Sequence, residues 1–111
     1  MVVTDLEKVA GIAAGGSNTC TVQDDGAARC WGSNSYGQVG DGTTTNASNT
    51  VAVSSLTGAA EICAGGNGGC AVQGEGAVLC WGYNNYGQVG DGTTTQRLTP
   101  VAASGLGTLA P

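Results

Sequence analysis

The chain has 111 residues and a formal net charge of -5, with only three Lys or Arg, so its length fits one small domain and it lacks the basic track that nucleic-acid phosphates require. Apolar residues make up 41% of the sequence, but there is no Phe and 21 residues are Gly, which argues against long helices. No apolar stretch approaches the roughly 18 residues of a membrane span, and the first seven residues lack the basic and apolar regions of a secretory signal. We therefore expect no nucleic-acid or membrane partner.

The first half of the chain carries the pattern of four short strands. Residues 9–16 form an apolar run that ends in a Gly pair, as a buried strand does. The segment NTCTVQDDGAARCW predicts two strands around a three-residue hairpin loop at 24–26. After a long loop rich in Gly and Thr, residues 50–53 form the centre of a fourth predicted strand.

The same order of elements recurs fifty residues later. Residues 1–50 align with residues 51–100 without a gap, and 26 of the 50 positions are identical. The second apolar run is 59–66 and the second hairpin loop is 74–76. We predict two repeat units, 1–50 and 51–100, followed by the start of a third unit (strand and tail) at 101–111. Four short strands per fifty residues, without helical periodicity, predict an all-β fold of two β-propeller blades, each with four antiparallel strands.

Paired cysteines occur in both predicted hairpins. Cys20 lies opposite Cys30, and Cys70 lies opposite Cys80, which predicts a disulfide in each hairpin. Reduced core thiols are the alternative, whereas zinc is disfavoured because the chain has no His and no Cys-x-x-Cys spacing. Bridged pairs predict an oxidising compartment, which means an extracellular, periplasmic or cell-surface location. Cys63 is the unpaired cysteine; we expect a buried free thiol, with an intermolecular bridge or reactive thiol as the alternative.

Aromatic residues recur at equivalent positions of the two units. Trp31 and Trp81 are predicted to lie in the core between blades, with ligand stacking as the lesser hypothesis. Tyr36 and Tyr86 are predicted to pack under the Gly-rich loop. Tyr83 stands where the first unit has Ser, so we predict a contact with a partner there.

The stretch GQVGDGTTT is predicted to be a tightly folded loop that each blade needs. Gly37, Gly40 and Gly42 supply positive φ angles, while Asp41 and the Thr hydroxyls bond nearby backbone groups. The stretch lacks the Lys and the helix of a nucleotide loop, and it lacks the alternating acids of a calcium loop.

Two asparagines precede this loop in equivalent positions. Asn34 and Asn84 stand in SNSYG and YNNYG, where Asn and Tyr side chains could face a sugar or another partner, so both are predicted partner contacts. No arrangement of residues resembles a catalytic set, because the chain has no His and no convergent acid–base pair. We therefore predict no enzyme activity, no metal and no cofactor.

The repeated stretches resemble a known family. IAAGGSNTCTV with CWGSNSYGQVGDGTTT, and ICAGGNGGCAV with CWGYNNYGQVGDGTTT, are similar to the repeats of the regulator of chromosome condensation family in its bacterial form. The resemblance covers nearly the whole chain and implies a β-propeller, usually of about seven four-stranded blades, with protein-recognition surfaces at its ends. In that family these surfaces serve nucleotide exchange on small GTPases or inhibition of β-lactamases.

Three hypotheses for function follow. The first is a non-enzymatic propeller module for protein–protein binding or assembly, from a bacterial extracellular protein. The second is a structural fragment or engineered piece that closes only by oligomerisation or with the remainder of a longer chain, because two blades alone leave two apolar faces exposed. The third is a carbohydrate-binding propeller.

Overall fold

Two four-stranded antiparallel sheets make up the chain in the computed structural model, which describes residues 9–74 and 76–103. In each sheet the strands are neighbours in chain order. The first sheet, blade 1, contains β1 (Val9–Ala14), β2 (Asn18–Gln23), β3 (Ala28–Gly32) and β4 (Ala47–Ala52). The second, blade 2, contains β5 (Ala59–Ala64), β6 (Gly68–Gln73), β7 (Val78–Gly82) and β8 (Arg97–Ala102). The prediction of an all-β chain with two four-stranded blades is confirmed.

The central hairpin of blade 1 forms as its sequence predicts. Val22 pairs with Ala28, and the Gln23 N–H donates to the Ala27 carbonyl at 2.9 Å, so three residues remain in the loop. Gly26 closes the turn with a φ of 85°. A residue with a side chain adopts this backbone conformation only with strain. The same pairing recurs in β6 and β7; Glu75, at the centre of the second predicted loop, lies outside the described residues.

The fourth strand of blade 1 covers most of its predicted centre at residues 50–53 and begins at Ala47. The β3–β4 register shifts between Cys30 and Gly32, which brings Gly32 opposite Ala47. β8 pairs with β7 through the same shift. β4 includes residue 50 and β8 includes residue 100, which are the last residues of the two predicted repeat units. Blade 1 therefore runs from β1 to β4, and blade 2 runs from β5 to β8.

The core of the described chain lies between the two blades. β5 packs against β1 and β2, and Trp81 is only 1% exposed. The cluster of buried apolar side chains combines residues of both blades: Cys20, Val22, Ala28, Cys30, Val39, Val53, Leu56, Ala59, Ile62, Ala71 and Trp81. Each blade therefore offers one face to this interface, and no other part of the described chain covers its second face.

Neither a membrane span nor a metal cluster is present in the described part of the chain. Residues 9–74 and 76–103 contain no helix that is long and apolar enough to cross a bilayer. Across the same residues, no group of three or more Cys, Asp or Glu side chains is placed to hold a metal ion.

Candidate functional site

A buried asparagine organises the long loop of blade 1. The Asn34 side chain is fully buried, and its Nδ2 donates to the carbonyls of Thr43 and Thr45 at 2.9 and 3.0 Å. Its Oδ1 accepts a hydrogen bond from the Val39 N–H at 2.9 Å. The Asp41 carboxylate in turn accepts from the Thr43 N–H and hydroxyl. These bonds use local side chains in place of a strand ladder, which explains why a long loop keeps one shape.

Blade 2 repeats this network. Asn84 donates to the carbonyls of Thr93 and Thr95 at 3.0 and 2.8 Å and accepts from the Val89 N–H at 2.9 Å. Both amides are 0% exposed, so neither Asn34 nor Asn84 has surface to offer a partner. The prediction that these asparagines contact a partner is wrong, because the loop carbonyls take up their hydrogen bonds.

The glycines of the loop behave as predicted. Gly37, Gly40 and Gly42 have φ angles of 81°, 70° and 86°. The loop therefore has the same structural role in both blades. Only the side chains exposed on its surface can contact a partner.

One ion pair distinguishes the second loop from the first. Arg97, at the start of β8, pairs with Asp91, whereas the first unit has Ala47 in the position of Arg97. The hydrogen bond from the Thr93 hydroxyl, with help from Arg97, lowers the pKa of Asp91 from 3.8 to about 2, although partial burial acts in the opposite direction. Asp91 is thus held as a carboxylate that fixes the loop.

Three tyrosines form an exposed cluster where the loops of the two blades meet. The Tyr36 and Tyr83 rings lie edge to face with centroids 4.7 Å apart, and the Tyr83 and Tyr86 centroids are 6.3 Å apart. Tyr36 is 39% exposed and Tyr86 is 85% exposed. We call Tyr36, Tyr83 and Tyr86 the tyrosine cluster. Tyr83 lies at its centre, where its ring contacts both other rings. Blade 1 has Ser33 at the equivalent position.

Two members of this cluster were missed by sequence reasoning. Tyr36 and Tyr86 were expected to pack under the loop, but both rings are exposed, and buried asparagines bond the loop carbonyls instead. Their N–H groups are held by Gln38 and Gln88 side chains, at 2.8 and 2.9 Å. The Gln two residues after each Tyr is the sequence feature that could have indicated this arrangement, because its side chain binds the Tyr N–H.

Both predicted disulfides are present in the structure. Cys20 is bonded to Cys30 and Cys70 to Cys80, each across directly paired residues of its hairpin. The first bridge is completely buried between the blades, whereas Cys70 is half-buried on the uncovered face of blade 2. The cross-strand pairing therefore suffices to bring the sulfur atoms together, and the neighbouring blade decides how far solvent reaches them.

Cys63 is a free cysteine, but the expected burial is wrong. It pairs with Cys70 across β5 and β6 and is exposed, whereas its neighbour Ile62 is 9% exposed. Successive side chains of a strand point to opposite faces. Ile62 therefore faces blade 1, and Cys63 faces away from it.

A cleft of about 440 Å³ lies on this uncovered face of blade 2. The second disulfide forms part of its wall, and Tyr83 connects it to the tyrosine cluster. Residues of three strands and the loop line it, including Cys63, Gly65, Cys80, Tyr83, Gln88 and Val89. This lining is mostly apolar and carries no charged side chain, so the cleft suits packing against another surface rather than acid–base chemistry.

The two tryptophans have different surroundings. Trp81 lies between the blades as predicted, and its Nε1–H donates to the Gln38 carbonyl at 2.8 Å. Trp31 is half-buried on the opposite, uncovered face of blade 1. The described chain therefore carries one buried inter-blade indole and one that remains partly exposed.

Two adjacent four-stranded blades, joined by a shared core and bearing an exposed aromatic cluster, define a segment of a β-propeller. Sequence models of the regulator of chromosome condensation (RCC1) repeat match the chain at residues 75–109 and, in a second model, at residues 9–38 and 59–88. The chain belongs to the RCC1 repeat family, which confirms the resemblance in its motifs. A comparison with curated protein sequences found no match.

Solved structures share this fold. Human WBSCR16 is similar with a TM-score of 0.84 and 22% identity, over 98% of this chain and 29% of that chain. Prp20p from Saccharomyces cerevisiae is similar with a TM-score of 0.83 and 18% identity, over 96% of this chain and 28% of that chain. Yeast RCC1 (Prp20) in its complex with Kap60 gives a TM-score of 0.82 and 18% identity, over 96% and 27%. The chain thus spans less than a third of these proteins.

Proposed function

We propose that this chain is a non-enzymatic protein-binding segment of a β-propeller and that the tyrosine cluster is its contact with a protein partner. The observation that carries the proposal is the grouping of Tyr36, Tyr83 and Tyr86 from both blades into one exposed surface. Tyr is enriched at binding hot spots because it supplies a large rigid contact area with a polar tip.

The loops beneath the cluster support this function. The bonds of Asn34 and Asn84 and the two Gln side chains hold the tyrosine backbone before any partner arrives. A preorganised surface loses less conformational entropy on binding. RCC1-type repeats typically mediate protein interactions, and Prp20p is described as binding Gsp1p and histones.

The partner surface can be tested by comparing variants of the chain on one column. Immobilised wild type, Tyr86→Ala and the control Thr94→Ala are exposed to extracellular or periplasmic proteins of the source organism. Thr94 is exposed in the same loop but lies outside the cluster. We expect a protein retained by wild type and control and lost by Tyr86→Ala, with direct affinity reduced at least about 30-fold. Retention by all three chains, together with an unchanged affinity, contradicts the proposal.

The cysteines support a proposal for the compartment of this protein. Two hairpin disulfides favour a location outside the cytoplasm, in the periplasm, at the cell surface or secreted. The proposal of a bacterial source rests on the resemblance of the repeats alone. Rapid alkylation of thiols in intact source cells tests this, because the four bonded cysteines should stay unmodified before reduction, whether or not Cys63 is covered. Alkylation of all five cysteines places the protein in a reducing compartment instead.

A further inference from the structure

The contact between blades 1 and 2 shows how one repeat binds the next. The Trp81 indole of blade 2 enters the loop side of blade 1, where its Nε1–H donates to the Gln38 carbonyl at 2.8 Å. Gly40 faces this indole, since an added Cβ would lie 3.0 Å from Nε1. Trp81 is thereby 1% exposed and Gln38 is also 1% exposed. The interface has two halves: an indole on one blade and a carbonyl-lined recess on the other.

Both halves recur on the uncovered faces of this chain. Gln88 and Val89, which correspond to Gln38 and Val39, line the cleft of blade 2, and Gln88 is exposed. Trp31 corresponds to Trp81 and stands half-buried on the open face of blade 1. The cleft is therefore equivalent to the recess that Trp81 fills between the blades.

An exposed isoleucine also distinguishes the open face of blade 1. Ile62 is 9% exposed at the inter-blade contact, whereas the equivalent Ile12 is 67% exposed on blade 1. Removing such a side chain from water favours the contact that buries it. Ile12 and Trp31 together form the apolar side of an interface whose recess lies on blade 2.

The backbone at the Gly pairs gives a second, independent match. At the blade contact, the Gly16 N–H donates to the Gly65 carbonyl at 3.2 Å, and a Cβ on Gly15 would lie 2.0 Å from that carbonyl oxygen. On the uncovered face, by contrast, a Cβ on Gly65 or Gly66 meets no atom within 4 Å. The close backbone approach seen between the blades is thus available again at the cleft.

We propose that this cleft binds the blade 1 face of a second copy of the chain, with the partner copy's indole at position 31 donating to the Gln88 carbonyl. Among residues 9–74 and 76–103, no side chain fills the cleft, and Ile12 stays 67% exposed. The contact is heterologous, since different surfaces meet, and its repetition closes a ring or builds a filament. Three or four copies give six or eight blades, within the range of about 4–8 that propellers use.

Three variants of the full 111-residue chain test this contact by sedimentation over a range of concentrations. Trp31→Ala removes the indole, and Gly65→Gln places a side chain in the cleft without a clash inside the chain. Gly74→Gln is the matched control, because Gly74 is exposed at the hairpin tip, where the first unit has Asp24. We expect the wild type and Gly74→Gln to self-associate, and each of the other two variants to associate at least about 30-fold more weakly.

Mixing the two weakened variants separates this contact from a symmetric one. Trp31→Ala retains an open cleft, and Gly65→Gln retains its indole, so one productive interface remains between them. We expect the mixture to form a complex of two chains and no larger species. Far-UV circular dichroism and thermal melting of each variant establish that it is folded before mixing.

The exposed Cys63 thiol reports on the cleft without depending on mass. Its alkylation should slow as the wild-type concentration rises and should stay fast in Trp31→Ala. A wild type that stays monomeric with a fully reactive Cys63 at every concentration overturns the proposal and leaves the cleft to a further repeat or another protein. Self-association that survives in both Trp31→Ala and Gly65→Gln overturns it as well.

Discussion

The buried amides of Asn34 and Asn84 are the residues on which the long loops depend. Each amide donates to two loop carbonyls and accepts from one buried loop N–H. Unpaired buried polar groups cost more than the bonds themselves contribute. The identity of this residue in both repeats therefore has a structural cause.

Replacing the buried amide should destabilise the chain strongly. We expect Asn84→Ala to lower the free energy of unfolding by about 2–4 kcal/mol, because the buried Val89 N–H and two partly buried loop carbonyls lose their partner and a cavity is left. Asn49→Ala is the control, since Asn49 is exposed on β4, and it should change stability by less than about 0.5 kcal/mol. Urea unfolding of both variants measures the difference; equal effects would contradict the role given to Asn84.

Asp91 should give the chain a measurable acid dependence. Its folded pKa of about 2 lies below the ordinary 3.8, so its stabilising contribution is full above pH 4 and is lost as the pH falls from 4 toward 2. We expect Arg97→Ala to raise the pKa of Asp91 toward 3.8, because one of its partners is removed. A carboxyl NMR titration measures both values, and an unchanged Asp91 midpoint would count against the ion pair.

The hairpins of the two blades are alike in register but differ in cover. The Cys20–Cys30 bridge lies between the blades with no exposed area, whereas the Cys70–Cys80 bridge borders the open cleft. Reduction requires a thiolate to reach a sulfur atom. The two hairpins are equivalent, but the presence or absence of a neighbouring blade decides how easily a thiolate reaches each disulfide.

Reducing agents should therefore open the two bridges in order. In the dilute native protein we expect Cys70–Cys80 to be reduced at least several-fold faster than Cys20–Cys30, since access limits the attack. Limited reduction, alkylation and peptide mapping give the two rates. Equal rates in the folded chain, or a faster loss of Cys20–Cys30, would disagree with the burial seen here.

The two blades pack against each other around the buried side chain of Trp81. The indole lies over Gly69, where an added Cβ would stand 2.6 Å from the ring. This approach is possible because blade 2 has Gly at a position where blade 1 has Thr19. Gly69 therefore leaves room for the Trp81 ring against the neighbouring strand of its own blade.

Adding a methyl group at this point tests the inter-blade packing. We expect Gly69→Ala to destabilise the chain by about 1–3 kcal/mol, because the ring must shift in a closely packed core. Gly74→Ala is the control, since its added Cβ meets only the Gly58 carbonyl at 4.0 Å. Thermal unfolding of both variants decides it, and a Gly69→Ala chain as stable as the control would show that Trp81 packs elsewhere.

The sequence by itself determined the repeat, the four strands per blade, the hairpin register and the two disulfides, because these depend on residues near one another in the chain. Alternation within a strand and the length of a turn are local properties. Pairing of Cys20 with Cys30 follows from them, as does the run of positive φ angles at Gly37, Gly40 and Gly42.

Only the tertiary structure decided which face of each strand is covered. It buried Asn34 and Asn84, turned Tyr36 and Tyr86 outward beside Tyr83, and exposed Cys63. In a propeller blade both faces of a sheet are candidates for burial, so alternation cannot tell which one meets a neighbour. That choice depends on the position of the other blade, which involves contacts between residues far apart in the chain, such as Gln38 and Trp81, which are 43 positions apart.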